Sequence, residues 1–172
     1  MIYIGLDLSL TNTGCIALND KGSIIQNKSF GYSLTKKATD KELVERYIDI
    51  TKGIVDFIDQ YKIEDIICGV EQYSFNTVKG KFGRKMQSAS QSGLAELRGT
   101  IKSQLCLMFG FIPVGVVASS ARKLILGKGN FEKKEIRSAL EAMGHKLDDG
   151  DQADAFLIAE YLRKNNKEKK NE

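Results

Sequence analysis

The chain has 172 residues, 42% of them hydrophobic and only one a proline, a composition that predicts a single globular domain with a substantial core. No run approaches the roughly 20 apolar residues that span a bilayer, and no cationic start precedes a signal-type apolar stretch, so we expect a cytoplasmic protein without a membrane partner. The only histidine, His145, excludes sites built on histidine pairs. Cys15, Cys68 and Cys106 are predicted to be reduced, buried thiols rather than disulfides or zinc ligands.

Charge is unevenly distributed, although the formal net charge is only +4. Residues 79–85 carry four bases and no acid, residues 119–137 carry six bases against two acids, and residues 161–172 carry five against two. Clustered bases displace counterions from phosphates and so favour a polyanionic partner. The alternative is that these lysines cover solvated helix faces and a frayed end. We expect one domain over residues 1–165, followed by a basic, disordered tail at 166–172.

The first half of the chain begins with strands and continues with a helix. Alternating patterns between turn signals predict an antiparallel meander of three strands, at residues 2–8, 13–19 and 23–31. The spacing of Thr39 and Glu42 then predicts a capping box, which opens an amphipathic helix over residues 40–61.

The second half alternates short strands with helices. The apolar run at 65–70 is too short for a helix and predicts a buried parallel strand, and a strand at 112–117 has Pro113 near its start. A long apolar stripe predicts a helix over residues 86–108. Three shorter helices are expected near 119–126, 132–143 and 151–164. We therefore predict an α/β fold whose mixed five-stranded sheet has three antiparallel strands, then two parallel ones, and is flanked by helices.

Four acids end or follow elements that are otherwise apolar: Asp7, Glu71, Asp151 and Asp154. A buried carboxylate is costly unless it is paired or holds a cation, so a shared divalent metal site would explain all four. The i,i+3 spacing of Asp151 and Asp154 brings both to one helix face, where their repulsion invites a cation. Singly, each acid has a structural alternative: Asp151 as a helix N-cap, Asp154 as a first-turn acid favoured by the helix dipole, Asp7 as a turn former and Glu71 as an ordinary strand-end acid.

Longer motifs carry a resemblance to a known family. They are GLDLSLTNTG at 5–14, GVEQYSF at 69–75, LRG at 97–99 and DQADAFLIA at 151–159, with the spacing of Arg122, Gly127, Gly129 and Lys133. On these motifs the chain resembles the RuvC-type Holliday junction resolvases of bacteria and bacteriophages, in the ribonuclease H-like/integrase superfamily. The resemblance covers nearly the whole chain and implies the ribonuclease H-like fold.

The resemblance also implies a metal site. Its ligands would be Asp7, Glu71, Asp151 and Asp154, holding two Mg²⁺ ions per active site with Mn²⁺ as a possible substitute. Phosphodiester cleavage needs an activated water and a stabilised leaving oxygen, and two divalent ions roughly 3.5–4 Å apart supply both. Carboxylates are the hard oxygen ligands that Mg²⁺ prefers.

Two basic residues are implied beside this site, Arg122 and Lys133. The family usually carries lysine where this chain has Arg122 followed by Lys123. Arginine does not shuttle a proton at neutral pH, so we expect Arg122 to stabilise charge instead. Lys133 is expected to contact the scissile region or an adjacent phosphate.

The loop after Glu71 is implied to bind DNA. In such resolvases an aromatic residue there enters the opened junction, and this chain offers Phe75, with Tyr73 as the rival. The alternative is that both rings pack under the loop. The other predicted DNA-binding residues are basic: Lys79, Lys81, Arg84, Lys85, Lys123 and Lys128.

We therefore predict a metal-dependent, structure-selective endodeoxyribonuclease that acts on branched DNA and resolves Holliday junctions by paired symmetric nicks. Alternatives are a nuclease of the same fold for forks, flaps or RNA-containing duplexes, and a junction-binding protein without cleavage. GLDLSLTNTG also resembles the phosphate-binding hairpin of actin-like ATPases and sugar kinases. Those proteins need a second such domain, and 172 residues contain no second hairpin motif.

A homodimer is predicted because two symmetric cuts require two active sites facing one junction. We expect the helix over 86–108 at its interface, where the small residues Ala89, Ser90 and Gly93 would allow close approach. Alternatively, the apolar stripe of this helix faces the chain's own sheet. The sequence identifies no motor partner.

Overall fold

The structure is a computed structural model that describes residues 1–31, 38–72, 78–79, 85–86 and 89–170. Within those ranges it describes only the backbone at 78–79, 85–86, 89–91, 133 and 168–170. None of the helices in these ranges combines the length and the apolar character needed to cross a membrane.

A mixed five-stranded sheet forms the centre of the fold. The described strands are β1 (Ile2–Asp7), β2 (Asn12–Leu18), β3 (Ile24–Gly31), β4 (Ile66–Glu71), β5 (Val78–Lys79), β6 (Lys85–Met86) and β7 (Val114–Val116). The large sheet has the order β3-β2-β1-β4-β7, with antiparallel pairing among its first three strands and parallel pairing of β1 with β4 and β4 with β7. This arrangement confirms the predicted sheet. The separate β5–β6 hairpin was not predicted.

Five α-helices surround the sheet in the described part of the chain, and a short 3-10 helix at Ile63–Asp65 precedes β4. The α-helices are α1 (Asp40–Ile58), α2 (Ala89–Phe109), α3 (Ala118–Leu126), α4 (Lys133–Ala142) and α5 (Gly150–Lys170). The predicted capping box opens α1, since Thr39 Oγ1 accepts a hydrogen bond from Glu42 N at 3.3 Å and Glu42 Oε2 accepts one from Thr39 N at 2.6 Å. Helix α5 continues past residue 166, where the sequence predicts a disordered tail. Residues 162–170 contain neither glycine nor proline, so no helix-breaking residue ends it earlier.

The core has two layers, one on each face of the sheet. Along β1, Ile4 and Leu6 point into the layer beneath α1 and α2, whereas Tyr3 points into the layer beneath α3, α4 and α5. The apolar stripe of α2 belongs to the first layer, because Leu97 and Ile101 are fully buried there. The alternative prediction, that this stripe faces the chain's own sheet, is therefore confirmed for these residues.

Gly93 serves the same internal packing. A β-carbon at this position would lie 2.9 Å from Tyr47 Oη on α1 and 3.2 Å from a methyl carbon of Leu10. Its small size thus allows α2 to approach its own chain. The prediction that Gly93 lies on a subunit interface is wrong for this reason.

Helix α5 lies directly against the backbone of the sheet. A β-carbon on Gly5 would come within 2.8 Å of Ala159 N and closer still to Ala155 O, and one on Gly14 would come within 2.8 Å of Gln152 N. Glycine at these two strand positions therefore permits the helix to approach this closely. The close approach fixes the position of the first turn of α5 relative to β1 and β2.

The three cysteines are free thiols in two different environments. Cys15 and Cys68 are buried, and burial raises the pKa of both thiols. Cys106 is exposed, so the prediction of a third buried thiol is wrong. It follows Leu105, which is buried, and one residue along a helix turns the side chain about 100° away from that face.

Candidate active site

The carboxyl ends of β1 and β4 meet at one edge of the sheet. The strands are parallel, and Gly5 is the register partner of Gly69. Asp7 and Glu71 each stand two residues further along, so they end the two strands side by side. Both glycines face α5, and side chains alternate along a strand, so both acids lie on the α5 side of the sheet.

Asp7 is a buried carboxylate, only 4% exposed, and Glu71 beside it is half-buried. Removing a carboxylate from water costs several kcal/mol unless charge or hydrogen bonds compensate it. Two acids at adjacent strand ends thus form a site where a cation would be favoured.

The first turn of α5 brings Asp151 to the same edge. Gly14 is the register partner of Asp7, and its α-carbon lies against the backbone of α5 next to Asp151. The side chain of Asp151 accepts a 2.7 Å hydrogen bond from Asn12 Nδ2. Three of the four predicted ligands therefore come from elements whose contacts fix them at one end of the sheet.

Asp149, not Asp151, caps α5. Its Oδ1 accepts a 2.7 Å hydrogen bond from Gln152 N, and its Oδ2 accepts hydrogen bonds from Ser29 Oγ at 2.7 Å and Asn12 Nδ2 at 3.1 Å. Burial alone would raise the pKa of Asp149, but these hydrogen bonds outweigh it and hold the pKa below its ordinary value. The alternative role of Asp151 as the N-cap is thereby excluded.

Asp154 forms an ion pair with Arg122. The carboxylate is buried, with 7% of the residue exposed, and its Oδ1 lies 3.0 Å from Arg122 Nη2 on α3. Both residues were predicted at the site, and the structure brings them into direct contact. The guanidinium therefore supplies a compensating charge to this buried carboxylate.

The donor set fits a divalent cation. All four acids offer oxygen ligands, and β1, β4 and the first turn of α5 bring Asp7, Glu71 and Asp151 to one edge. In the described residues, however, no three Asp, Glu, His or Cys side chains form a group that could hold a metal ion. Asp151 is held by Asn12 and Asp154 by Arg122. The carboxylate oxygens and the backbone positions of the acids thus suit a cation, whereas the side chains of Asp151 and Asp154 are engaged in hydrogen bonds with Asn12 and Arg122.

Three of the predicted basic residues lie close to Arg122 in sequence, on α3 or after it. Lys123 is exposed on α3, and Lys128 is exposed in the turn after it, with its Nζ 4.4 Å from the centre of the Phe131 ring. Lys133 is the first residue of α4, and its side chain lies outside the described residues. The structure therefore places Lys123 and Lys128 on the segment that carries Arg122.

Most of the predicted DNA-binding loop lies outside the described residues. This applies to Tyr73, Phe75, Lys81 and Arg84, and to the side chains of Lys79 and Lys85. The backbones of Lys79 and Lys85 are register partners in the β5–β6 hairpin. Two predicted DNA-binding residues thus stand opposite each other on that hairpin.

Sequence reasoning missed the polar residues of β2 and β3 that hold the start of α5. Asn12 and Ser29 contact Asp149, and Asn27 Nδ2 donates to Gln152 Oε1 at 2.9 Å. One signal was available. Asn27 and Ser29 are two residues apart on β3 and so lie on the same face of the sheet. Two polar residues on one face indicate that a polar partner packs against that face.

Comparison with known proteins establishes the fold. No protein-family model matches the chain, and no curated protein matches it. The chain is similar to the structure of RuvC from Thermus thermophilus, with a TM-score of 0.65 and 18% identity, covering 92% of this chain and 91% of that one. It is also similar to T. thermophilus RuvC in complex with Holliday junction substrate, with a TM-score of 0.66 and 16% identity, covering 92% and 90%. The predicted RuvC-like, ribonuclease H-like fold is therefore confirmed.

Proposed function

We propose that the chain is a divalent-metal-dependent endonuclease that cleaves branched DNA and resolves Holliday junctions by paired symmetric nicks. The observation that carries this proposal is the meeting of Asp7, Glu71 and the acidic first turn of α5 at one edge of a RuvC-like fold. The solved complex of T. thermophilus RuvC with Holliday junction substrate supports branched DNA as the substrate class. In a bacterial or phage-infected cell that substrate lies in the cytosol.

Asp7, Glu71, Asp151 and Asp154 would hold two Mg²⁺ ions, or Mn²⁺ in their place. Bound there, the ions would activate a water and stabilise the leaving oxygen of the phosphodiester. The chain itself holds the four acidic ligands in place. Two ligands end buried parallel strands, and the other two lie on a helix seated against the sheet, so rigid elements rather than loops carry all four.

Arg122 would stabilise the negative charge of the scissile phosphate. Its guanidinium is already at the acidic edge through its contact with Asp154, and arginine remains protonated throughout the neutral range. Lys133 remains a predicted contact for the same phosphate. Lys123 and Lys128 are exposed nearby and would bind flanking phosphates.

We place the homodimer interface on the outer surface of α1 and α2. The α2 stripe that was expected there is buried in the chain's own core. Among the described side chains of these helices, four large apolar residues are exposed: Val44, Ile48, Leu107 and Met108. Ile48 and Met108 line one pocket between the two helices, and exposed apolar side chains that share a surface are typical of subunit contacts. A two-fold dimer would present two active sites to one junction.

The test is cleavage of labelled four-way junctions, forks, flaps and RNA–DNA duplexes with Mg²⁺, with mapping of the products. Asp7→Asn and Glu71→Gln should each abolish cleavage while folding and junction binding persist, because each change removes a ligand charge without changing the size of the side chain. Binding should be equal or tighter, since less negative charge faces the phosphates.

The matched control is Asp65→Asn. Asp65 is an exposed acid directly before β4, at the opposite end of the strand from Glu71. This variant should cleave like the wild type. Wild-type turnover in Asp7→Asn or Glu71→Gln would contradict the proposed mechanism, and cutting of forks or RNA–DNA duplexes in preference to junctions would reassign the substrate.

A further inference from the structure

Asn12 links the acidic edge of the sheet to the start of α5. It is the first residue of β2, and its amide nitrogen donates to two carboxylates, Asp151 Oδ2 at 2.7 Å and Asp149 Oδ2 at 3.1 Å. Asp149 carries a second carboxylate two residues before Asp151, and two negative charges this close in sequence repel each other. By donating to both carboxylates, the amide offsets the repulsion between them.

The position of Asn12 is itself well determined. Asp149 is fixed because its Oδ1 caps α5 through Gln152 N and its Oδ2 accepts from Ser29 Oγ. Two carboxylate oxygens face the Asn12 amide, and only its NH₂ group can donate to them, which determines the orientation of the amide. The Asn12 amide that donates to Asp151 is thus held by its place on β2 and by its contact with Asp149, which is itself fixed by the α5 cap and by Ser29 on β3.

We propose that Asn12 is a positioning residue that keeps the Asp151 carboxylate at the acidic edge of the sheet, where it would be available to a bound cation, an inference that rests on the proposed function. Hydrogen-bond partners that orient metal ligands typically contribute about 10–100-fold to metal affinity. Asn12 has the chemistry for this role because an amide donor can bind one carboxylate oxygen while remaining uncharged, and so it does not compete with the cation as a lysine would.

The test is Mn²⁺ binding to the full chain without DNA, measured by titration calorimetry, together with unfolding in urea. Asn12→Ala should weaken Mn²⁺ binding by about 10–100-fold. Asn12→Leu, which retains the size of the side chain, should do the same and serves if the alanine variant folds poorly. The matched control is Asn27→Ala, because Asn27 belongs to the same network but contacts Asp148 and Gln152, not Asp151.

A double-mutant cycle separates positioning from a general structural effect. If Asn12 acts through Asp151, Asn12→Ala should weaken Mn²⁺ binding no further in an Asp151→Asn background. Two outcomes would overturn the role of Asn12 while leaving the proposed function intact. One is that the Asn12 variants bind Mn²⁺ as tightly as Asn27→Ala does. The other is that Asn12→Ala weakens Mn²⁺ binding equally in the wild-type and Asp151→Asn backgrounds. A wild-type chain that binds no Mn²⁺ would overturn the proposed function as well.

Discussion

Replacing Gly5 with alanine should destabilise the protein strongly, although the change adds one methyl group. The new β-carbon would come within 2.8 Å of Ala159 N and closer to Ala155 O. Non-bonded contacts of carbon are favourable near 3.5 Å, so α5 would have to retreat by roughly 1.5 Å to relieve the contact with Ala155 O. The obstructing atoms are helix backbone and cannot rotate away. Overpacking of this kind costs about 1–3 kcal/mol, and we expect the upper end, about 3 kcal/mol.

Urea unfolding followed by circular dichroism measures the effect as a lower midpoint at an unchanged slope. At about 2–4 °C per kcal/mol for a chain of this size, the melting temperature should fall by roughly 6–12 °C. Gly99→Ala is the control. Gly99 is an exposed residue of α2, and apart from its own helix backbone no heavy atom of the described residues lies within 4 Å of an added β-carbon, so alanine there should raise stability by about 0.8–1 kcal/mol. A Gly5→Ala variant as stable as the wild type would refute the close seating of α5.

Three further predictions concern the site, the pH dependence and the interface. Arg122→Gln should tighten Mn²⁺ binding roughly fivefold, because it removes an ion pair with Asp154 that is worth about 1 kcal/mol and competes with Mn²⁺ for the carboxylate. Titration calorimetry measures this affinity. An unchanged affinity would show that the ion pair and the bound Mn²⁺ coexist. Burial lowers the pKa of His145 below its ordinary 6.5, so the unfolded chain takes up the proton first and the free energy of unfolding should fall as pH drops below 6.5. Urea titrations at several pH values should show that His145→Gln reduces this slope. Ile48→Glu should convert a species near twice 19.1 kDa to monomer in sedimentation, whereas Ile25→Glu, at an exposed residue of β3, should not.

The sheet and α1 could be predicted because local pattern determines them. The run at 66–70 contains no charged residue, so its apolar character does not depend on its neighbours, and the Thr39–Glu42 capping box is complete within four residues. Asp7 and Glu71 could be placed together because parallel strands end at the same edge. These inferences need only the order of the elements and the alternation of side chains.

Long-range contacts decided the rest. Residues 148–151 offer three aspartates, each a good N-cap, and the choice of Asp149 depends on Ser29 and Asn12, which are more than 100 residues away in sequence. Gly93 suits an interface between subunits or between helices of one chain, and only the position of Tyr47 decides between them. No pattern within α2 contains that information.

The unequal environments of the thiols give the protein a native labelling site. Cys15 and Cys68 are closed to reagents in the folded state, while Cys106 is open on α2, so a maleimide or nitroxide should attach once per chain. In a symmetric dimer, two such labels would report a single distance. Pulsed electron paramagnetic resonance on the unmodified sequence could then follow subunit geometry as DNA is added, without any engineered cysteine.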